Sequence, residues 1–239
     1  MQLEIVSHCW NYSRLLTYQL SSLVLFPPKN CTVKATIFHA AEDTETVRTL
    51  EWFSGRQVER VEWNFLTLPP KQLMRRAIGR NIAALASTAD AVLFSDCDYV
   101  FGEGALDQIA VTLQEQFATG DKICWPEWVM QSKLHKHGDA EVQRVESPGL
   151  YEVDASRYRP MRIPVAIGGC QWVPGQFCRD RGYIPESRTF QKPVKRWKRT
   201  VCDQAFRSMS GLLLMPVHIN NIYRIRHSER GWQTEGLKL

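Results

Sequence analysis

The sequence lacks several features, and each absence removes a class of protein. No apolar run reaches the roughly 18–20 residues that a membrane-spanning helix needs. The longest candidates, such as residues 212–217, have the length of core strands. The opening residues are too short for a secretory leader and carry Glu4 where a basic start belongs, so no signal peptide is expected. No cysteine stands in a C-x-x-C pair, which argues against a zinc ribbon or a thioredoxin-like site. The seven that exist are Cys9, Cys31, Cys97, Cys124, Cys170, Cys178 and Cys202. Their odd number, and the apolar runs around several of them, read as small buried hydrophobes in a reducing, cytoplasmic setting. No G-x-G-x-x-G follows a strand-like run, which removes a dinucleotide-binding dehydrogenase. Internal repeats and low-complexity tracts are also missing. Strong charge bias is missing too, with 30 Lys and Arg against 25 Asp and Glu for a net +5. That balance is too weak to indicate nucleic acid by itself. It suits a protein that handles phosphates, and leaves room for a peripheral contact with an anionic membrane, at its inner face.

What remains is ordinary globular composition, 44% hydrophobic and 23% charged over 239 residues. That length supports one sizeable core, read here as a single domain over 1–239. Residues 3–7 (L-E-I-V-S) read as a buried strand, and 14–25 space leucines at helical intervals until Pro27-Pro28. Residues 32–39 form a second strand, and Asp43 or Thr44 can cap a helix over 46–53. Alternation over 61–66 gives a third strand. The spacing predicts one helix over 72–87, with Leu73, Ala77, Ile78, Ile82 and Leu85 on its apolar side. The continuous apolar run 91–95 (A-V-L-F-S) is typical of a central parallel strand buried on both faces. A helix over 106–117 and a strand over 122–125 follow.

Alternating strands and helices imply a parallel α/β sheet whose ligands bind outside the carboxyl ends of the strands. Those ends are 7–12, 39–43 and 96–98, so three segments should meet at one crevice, in a nucleotide-binding half over 1–125. The remainder, 126–239, is less regular. Residues 131–158 read as polar loop, 187–199 as a basic stretch, 206–217 as a helix leading into a strand, and 219–230 as a basic tail.

The sharpest chemical signal is Asp96-Cys97-Asp98 at the end of the buried run. Two carboxylates one residue apart can both turn into a cleft. A diphosphate would be repelled there unless a hard divalent ion took carboxylate and phosphate oxygens together. Such an ion also stabilises charge developing on a departing nucleoside diphosphate. The competing account is two solvated loop aspartates, or one that caps the next helix. The second signal is Arg75, Arg76, Arg80 and Asn81 on the preceding helix. Arg76 and Arg80 share a face and can reach a phosphate or nucleobase, whereas Arg75 reads as part of a solvated stripe.

In these segments the sequence resembles glycosyltransferase family 2 of the GT-A fold. The shared features are the Trp10-Asn11-Tyr12 turn after the first strand, and the run from Ala77-Ile78-Gly79-Arg80-Asn81 to Asp96-Cys97-Asp98. Gly168-Gly169-Cys170, and Cys202-Asp203-Gln204 at a helix start, complete the likeness, which covers roughly residues 3–215. It implies a Rossmann-like, mostly parallel central sheet flanked by helices, and transfer of a sugar from a nucleotide-sugar donor to a carbohydrate or glycoconjugate acceptor hydroxyl, with inversion. Ser7, Trp10, Asn11, Tyr12, Asp43, Arg76, Arg80, Asp96 and Cys97 are then candidates for the donor, a UDP-sugar by default with GDP or dTDP open. Asp98, with His227 as an extra ligand, would hold Mn²⁺ or Mg²⁺. Gly168, Gly169 and Trp172 fall on the acceptor side, and Asp203 becomes the general base. His227 reads equally well as a surface histidine, and Asp203 as a helix cap. The chain departs from the family pattern at Ser7-His8-Cys9, at Phe38-His39 and at Cys202. Two other readings stay open: a nucleotidyltransferase-like enzyme, disfavoured because residues 7–14 contain no glycine, and a non-catalytic polyanion-binding module built on 187–199.

Overall fold

In the computed structural model, residues 1–136, 148–194 and 201–228 are described. Strand β1 (Gln2–His8) leads into helix α1 (Ser13–Leu25), β2 (Thr32–His39) into α2 (Thr44–Ser54), and β3 (Val61–Thr67) into α3 (Pro70–Leu73) and α4 (Arg76–Ala86). Then come β4 (Ala91–Ser95), β5 (Tyr99–Phe101), α5 (Ala105–Ala118) and β6 (Lys122–Pro126). These bounds follow the apolar periodicity closely, because the core itself imposes that periodicity. β1 and β4 are buried along nearly their whole length, as strands covered by helices on both faces must be.

The central sheet has seven strands in the order β10-β6-β9-β4-β1-β2-β3, where β9 is Cys170–Pro174 and β10 is Leu213–Val217. All its pairings are parallel except those of β9, which runs antiparallel between β4 and β6. Helices α6 (Gly175–Arg181) and α7 (Cys202–Ser210) complete the described set.

Two readings of the first half need correction. The helix expected over 72–87 is broken at Arg75, whose backbone is non-helical. Arg75 is buried and donates through Nε to the Lys192 carbonyl at 3.3 Å, so it does not belong to a solvated stripe. The face of α4 is also rotated from the expected one. Ile82 and Leu85 are exposed, and Arg80 is fully buried. Polar partners decide this outcome.

The second half is more regular than its polarity suggests. β7 (Trp128–Ser132), β8 (Tyr158–Arg162) and β11 (Ile222–Arg224) join β5 in a four-stranded sheet, order β5-β11-β7-β8. The expected tail over 219–230 is therefore partly a strand. Ile219, Ile222 and Ile225 are buried, and β11 pairs antiparallel with β5 and parallel with β7. Residues 137–147 of the expected loop, 195–199 of the basic stretch and 229–230 of the tail lie outside the described residues.

Candidate active site

Three turns at the carboxyl ends of the central strands do meet. The Cys9 amide donates to the Phe38 carbonyl at 2.9 Å, and the Cys97 thiol donates to the His8 carbonyl at 3.1 Å. Asn11 adopts φ 57°, a left-handed conformation that asparagine tolerates better than most residues. Its amide donates to Asp43 Oδ2 at 2.7 Å. Asp43 also caps α2, accepting from the Thr46 amide at 3.2 Å and the Thr46 hydroxyl at 2.6 Å. Both its oxygens are thus committed to joining one turn to the next.

The turn at Asp96–Asp98 is clasped from behind by Gln19 of α1. The buried Gln19 amide donates to Ser95 Oγ (3.1 Å), the Asp96 carbonyl (3.0 Å) and the Tyr99 carbonyl (3.1 Å), and accepts from Ser7 Oγ at 2.9 Å. Sequence reasoning passed over Gln19. A lone glutamine within a leucine-rich helix was the available signal, since a buried amide requires polar partners.

The two carboxylates of the turn have different surroundings. Asp96 forms an ion pair with Arg76 and lies 3.5 Å from Arg80 Nη2. Burial pushes its carboxyl up, but Arg76 and Arg80 more than offset this and hold it below the usual carboxylate range. Arg80 itself is 0% exposed. It donates to the Gly168 carbonyl and, at 3.1 Å, to Tyr183 Oη, with the Phe94 and Tyr183 rings alongside. These partners explain why an arginine occupies the core face of α4. Its neighbour Asn81 accepts from the Tyr183 amide at 2.9 Å. Gly79 brings α4 against β1 so closely that a Cβ there would overlap the His8 ring.

Asp98 is nearly buried and faces the second sheet. Arg224 Nε lies 3.4 Å and His227 Nε2 3.9 Å from its Oδ2. Burial, and then the charge of Asp96, push the Asp98 carboxyl up, against the opposing pull of Arg224 and His227. His227 is not a free surface histidine. It forms a β-bridge with His135 and stands edge-on to Tyr12, ring centroids 5.4 Å apart.

On the far side of Asp96, Gly168 and Gly169 bridge to Asp203. The Asp96 amide donates to the Gly169 carbonyl at 2.9 Å, and the Gly168 amide donates to Asp203 Oδ2 at 3.1 Å. The bridge leaves little room for a side chain. A Cβ on Gly169 would stand 2.9 Å from Tyr99 Cε2, and one on Gly168 3.0 Å from Asp203 Cβ. Asp203 is not the cap of α7. That position is Val201, which makes no side-chain cap, and the Asp203 carboxylate turns to Gly168 instead.

Asn11, Tyr12, Asp43, Arg76, Asp96, Asp98, Gly168, Gly169, Asp203 and His227 are therefore linked around the turns at the carboxyl end of the central sheet. Ser7, Trp10, Arg80 and Cys97 are buried beside them, as are Asp43 and Asp98. Trp172 offers no stacking face, being wholly buried in β9 between β4 and β6.

Asp98 Oδ1 and His227 Nδ1 are buried without a hydrogen-bond partner. Among the described residues no three His, Cys, Asp or Glu side chains could enclose a metal ion by themselves. An orphaned carboxylate oxygen beside a histidine fits an ion that takes its other ligands from phosphate and water, as Mg²⁺ commonly does.

No protein-family model matches the chain, and no curated protein does. Solved structures do. Staphylococcus aureus TarS 1-349 in complex with UDP-GlcNAc is similar with a TM-score of 0.58 at 14% identity, over 98% of this chain and 61% of that one. The same protein with UDP gives 0.57 at 14%, over 94% and 60%. The mannosyltransferase PcManGT from Pyrobaculum calidifontis, in complex with GDP-Man and Mn²⁺, gives 0.55 at 13%, over 96% and 58%. The chain thus spans about three fifths of the length of these proteins. The likeness establishes the fold, which is that of the GT-A glycosyltransferases. No helix among the described residues is long and apolar enough to cross a membrane.

Proposed function

We propose that the chain transfers a glycosyl group from a nucleoside diphosphate sugar to an acceptor hydroxyl on a carbohydrate or glycoconjugate, with inversion at the anomeric carbon. The observation that carries this reading is the Gly168-Gly169 bridge, which ties Asp203 and Asp96 to two consecutive residues. This closeness supports a carboxylate suited to accept a proton working beside a carboxylate pair suited to a cation–diphosphate. The acceptor oxygen attacks the anomeric carbon as the bond from that carbon to the diphosphate oxygen breaks, and Asp203 takes the hydroxyl proton. Asp203 Oδ2 is occupied by the Gly168 amide, and Oδ1 makes no hydrogen bond among the described residues. Asp98 and His227 would hold Mn²⁺ or Mg²⁺, which when bound supplies charge stabilisation for the departing diphosphate. UDP is the first nucleotide to try, because TarS is similar and was solved with UDP-GlcNAc. GDP follows from the PcManGT complex.

The test is turnover of UDP- and GDP-sugars with Mn²⁺, with and without chelator, in wild type and Asp98→Asn. The expected outcome is chelator-sensitive release of nucleoside diphosphate by the wild type, lost in the variant, with both melting alike. Full activity of Asp98→Asn, or indifference of the wild type to chelator, would remove the metal role.

A further inference from the structure

Arg224 carries a chemical capacity that the scheme above leaves unused. It lies on β11, in register with Tyr99 of β5, and the next amide, that of Ile225, donates to the Asp98 carbonyl at 2.8 Å. The backbone that bears Arg224 is thus fastened to the Asp98–Tyr99 segment. Its guanidinium lies over the Tyr99 ring, 5.6 Å from the centroid, and its Nε points to Asp98 Oδ2. The two terminal amino groups make no hydrogen bond among the described residues, and the side chain is 32% exposed. A guanidinium held at Nε and by a ring face, with its planar fork open, matches the oxygens of a phosphate in a bidentate way that an ammonium cannot reproduce.

We infer that Arg224 is a diphosphate-binding residue: Nε anchors it to Asp98 while its terminal amino groups take oxygens of the donor's diphosphate. The inference rests on the reading of this cleft as a nucleotide-sugar site. It adds a protein cation that binds the same leaving group from the second sheet. Asp98 would then be shared, with Oδ2 orienting Arg224 and Oδ1 left free for the metal ion. The arrangement also gives a role to a strand that joins two sequence-distant segments: it carries a positive charge, and then His227, across to the turn of the central sheet.

The test compares nucleoside diphosphate with nucleoside. UDP, GDP and dTDP, each with Mn²⁺, are titrated by calorimetry into wild type, Arg224→Gln and Arg224→Lys, and the matching nucleosides are followed by ligand-observed NMR. For the diphosphate that the wild type binds, Arg224→Gln is expected to lose about ten- to a hundredfold in affinity, the contribution of a charge-assisted hydrogen bond. Arg224→Lys, which keeps the charge and loses the fork, should fall between them, and nucleoside affinity should not change. Equal loss for nucleoside and diphosphate would mark Arg224 as merely structural. Unchanged diphosphate affinity in Arg224→Gln, with the wild type binding normally, would overturn this inference alone. If the wild type binds none of the diphosphates, the proposed function fails and the inference fails with it. Melting temperatures separate these outcomes from misfolding, and the lysine variant still decides the matter if the glutamine variant does not fold.

Discussion

Asp96 and Asp98 stand one residue apart, yet they belong to different halves of the molecule. Asp96 is held by Arg76 and Arg80 of α4, part of the central-sheet layer, and its carboxyl is driven down. Asp98 is held by Arg224 and His227, which come from the second sheet and the residues after it, and its carboxyl is driven up. The turn between them is a seam. Asp96 has its charge already balanced by two guanidinium groups. Asp98 has one oxygen, Oδ1, buried without a partner. A cation therefore has more to offer at Asp98 than at Asp96. This difference supports the proposed metal role of Asp98 over one for Asp96.

The comparison breaks most visibly at Arg80. Removing a buried guanidinium that serves Asp96, Gly168 and Tyr183 should destabilise the protein by about 3–5 kcal/mol, the usual result of deleting one partner of a buried pair. Arg80→Ala is therefore expected to melt well below wild type, or not to accumulate as a folded protein. If it melts normally and loses nucleotide affinity alone, Arg80 faces the donor and its structural role is wrong.

Gln19 holds the turn at which the two environments meet. Gln19→Leu keeps the approximate volume and removes the donors to the Asp96 and Tyr99 carbonyls. A cost of about 1–3 kcal/mol is expected for leaving such buried acceptors unpaired, together with weaker nucleotide binding as the two carboxylates lose their relative setting. Denaturant unfolding with parallel calorimetry checks both, and a stable variant with wild-type affinity would show that the turn holds itself.

A smaller effect comes from His8, stacked on Phe38 beneath the Asp96 side of the seam with ring centroids 5.0 Å apart. Burial, then Arg80 and Arg76, push its pKa well below the ordinary value, and both ring nitrogens are buried without partners. The unfolded chain takes up a proton at His8 near pH 6.5 and the folded chain does not, so the unfolded state binds more protons below that pH. Stability is present in full well above about pH 6.5 and should fall as the pH drops through that value. His8→Asn should flatten the pH dependence of stability over this window. An unchanged slope would place the titration elsewhere.

The parallel half was legible because each strand there is a short apolar run and each helix a periodic one. The D-x-D turn could be found because the apolar run 91–95 ends abruptly at Asp96. The second sheet was not legible. Its strands are short and polar on at least one side, as in β8 with its Tyr-Arg-Pro-Met-Arg sequence, and they pair across large sequence separations that no local pattern encodes. For the same reason Arg224 passed as part of a basic tail. Arg80 was misplaced because periodicity ranks a residue by polarity alone. A buried arginine becomes tolerable only when the Gly168 carbonyl, Tyr183 and Asp96 are already arranged around it.

The central claim is that Asp203 faces the same cleft as the D-x-D turn and removes the acceptor's proton there. Asp203→Asn tests it most directly, since the amide oxygen can still accept from Gly168 while the basicity is gone. Single-turnover transfer to an acceptor found by screening is measured beside melting temperature, nucleotide affinity and the anomeric configuration of the product. The account predicts wild-type melting and donor affinity, an inverted product, and a transfer rate lower by about 10²–10⁴, the usual contribution of a positioned general base. Near-normal transfer by Asp203→Asn, or a product that retains the donor's anomeric configuration, would contradict it.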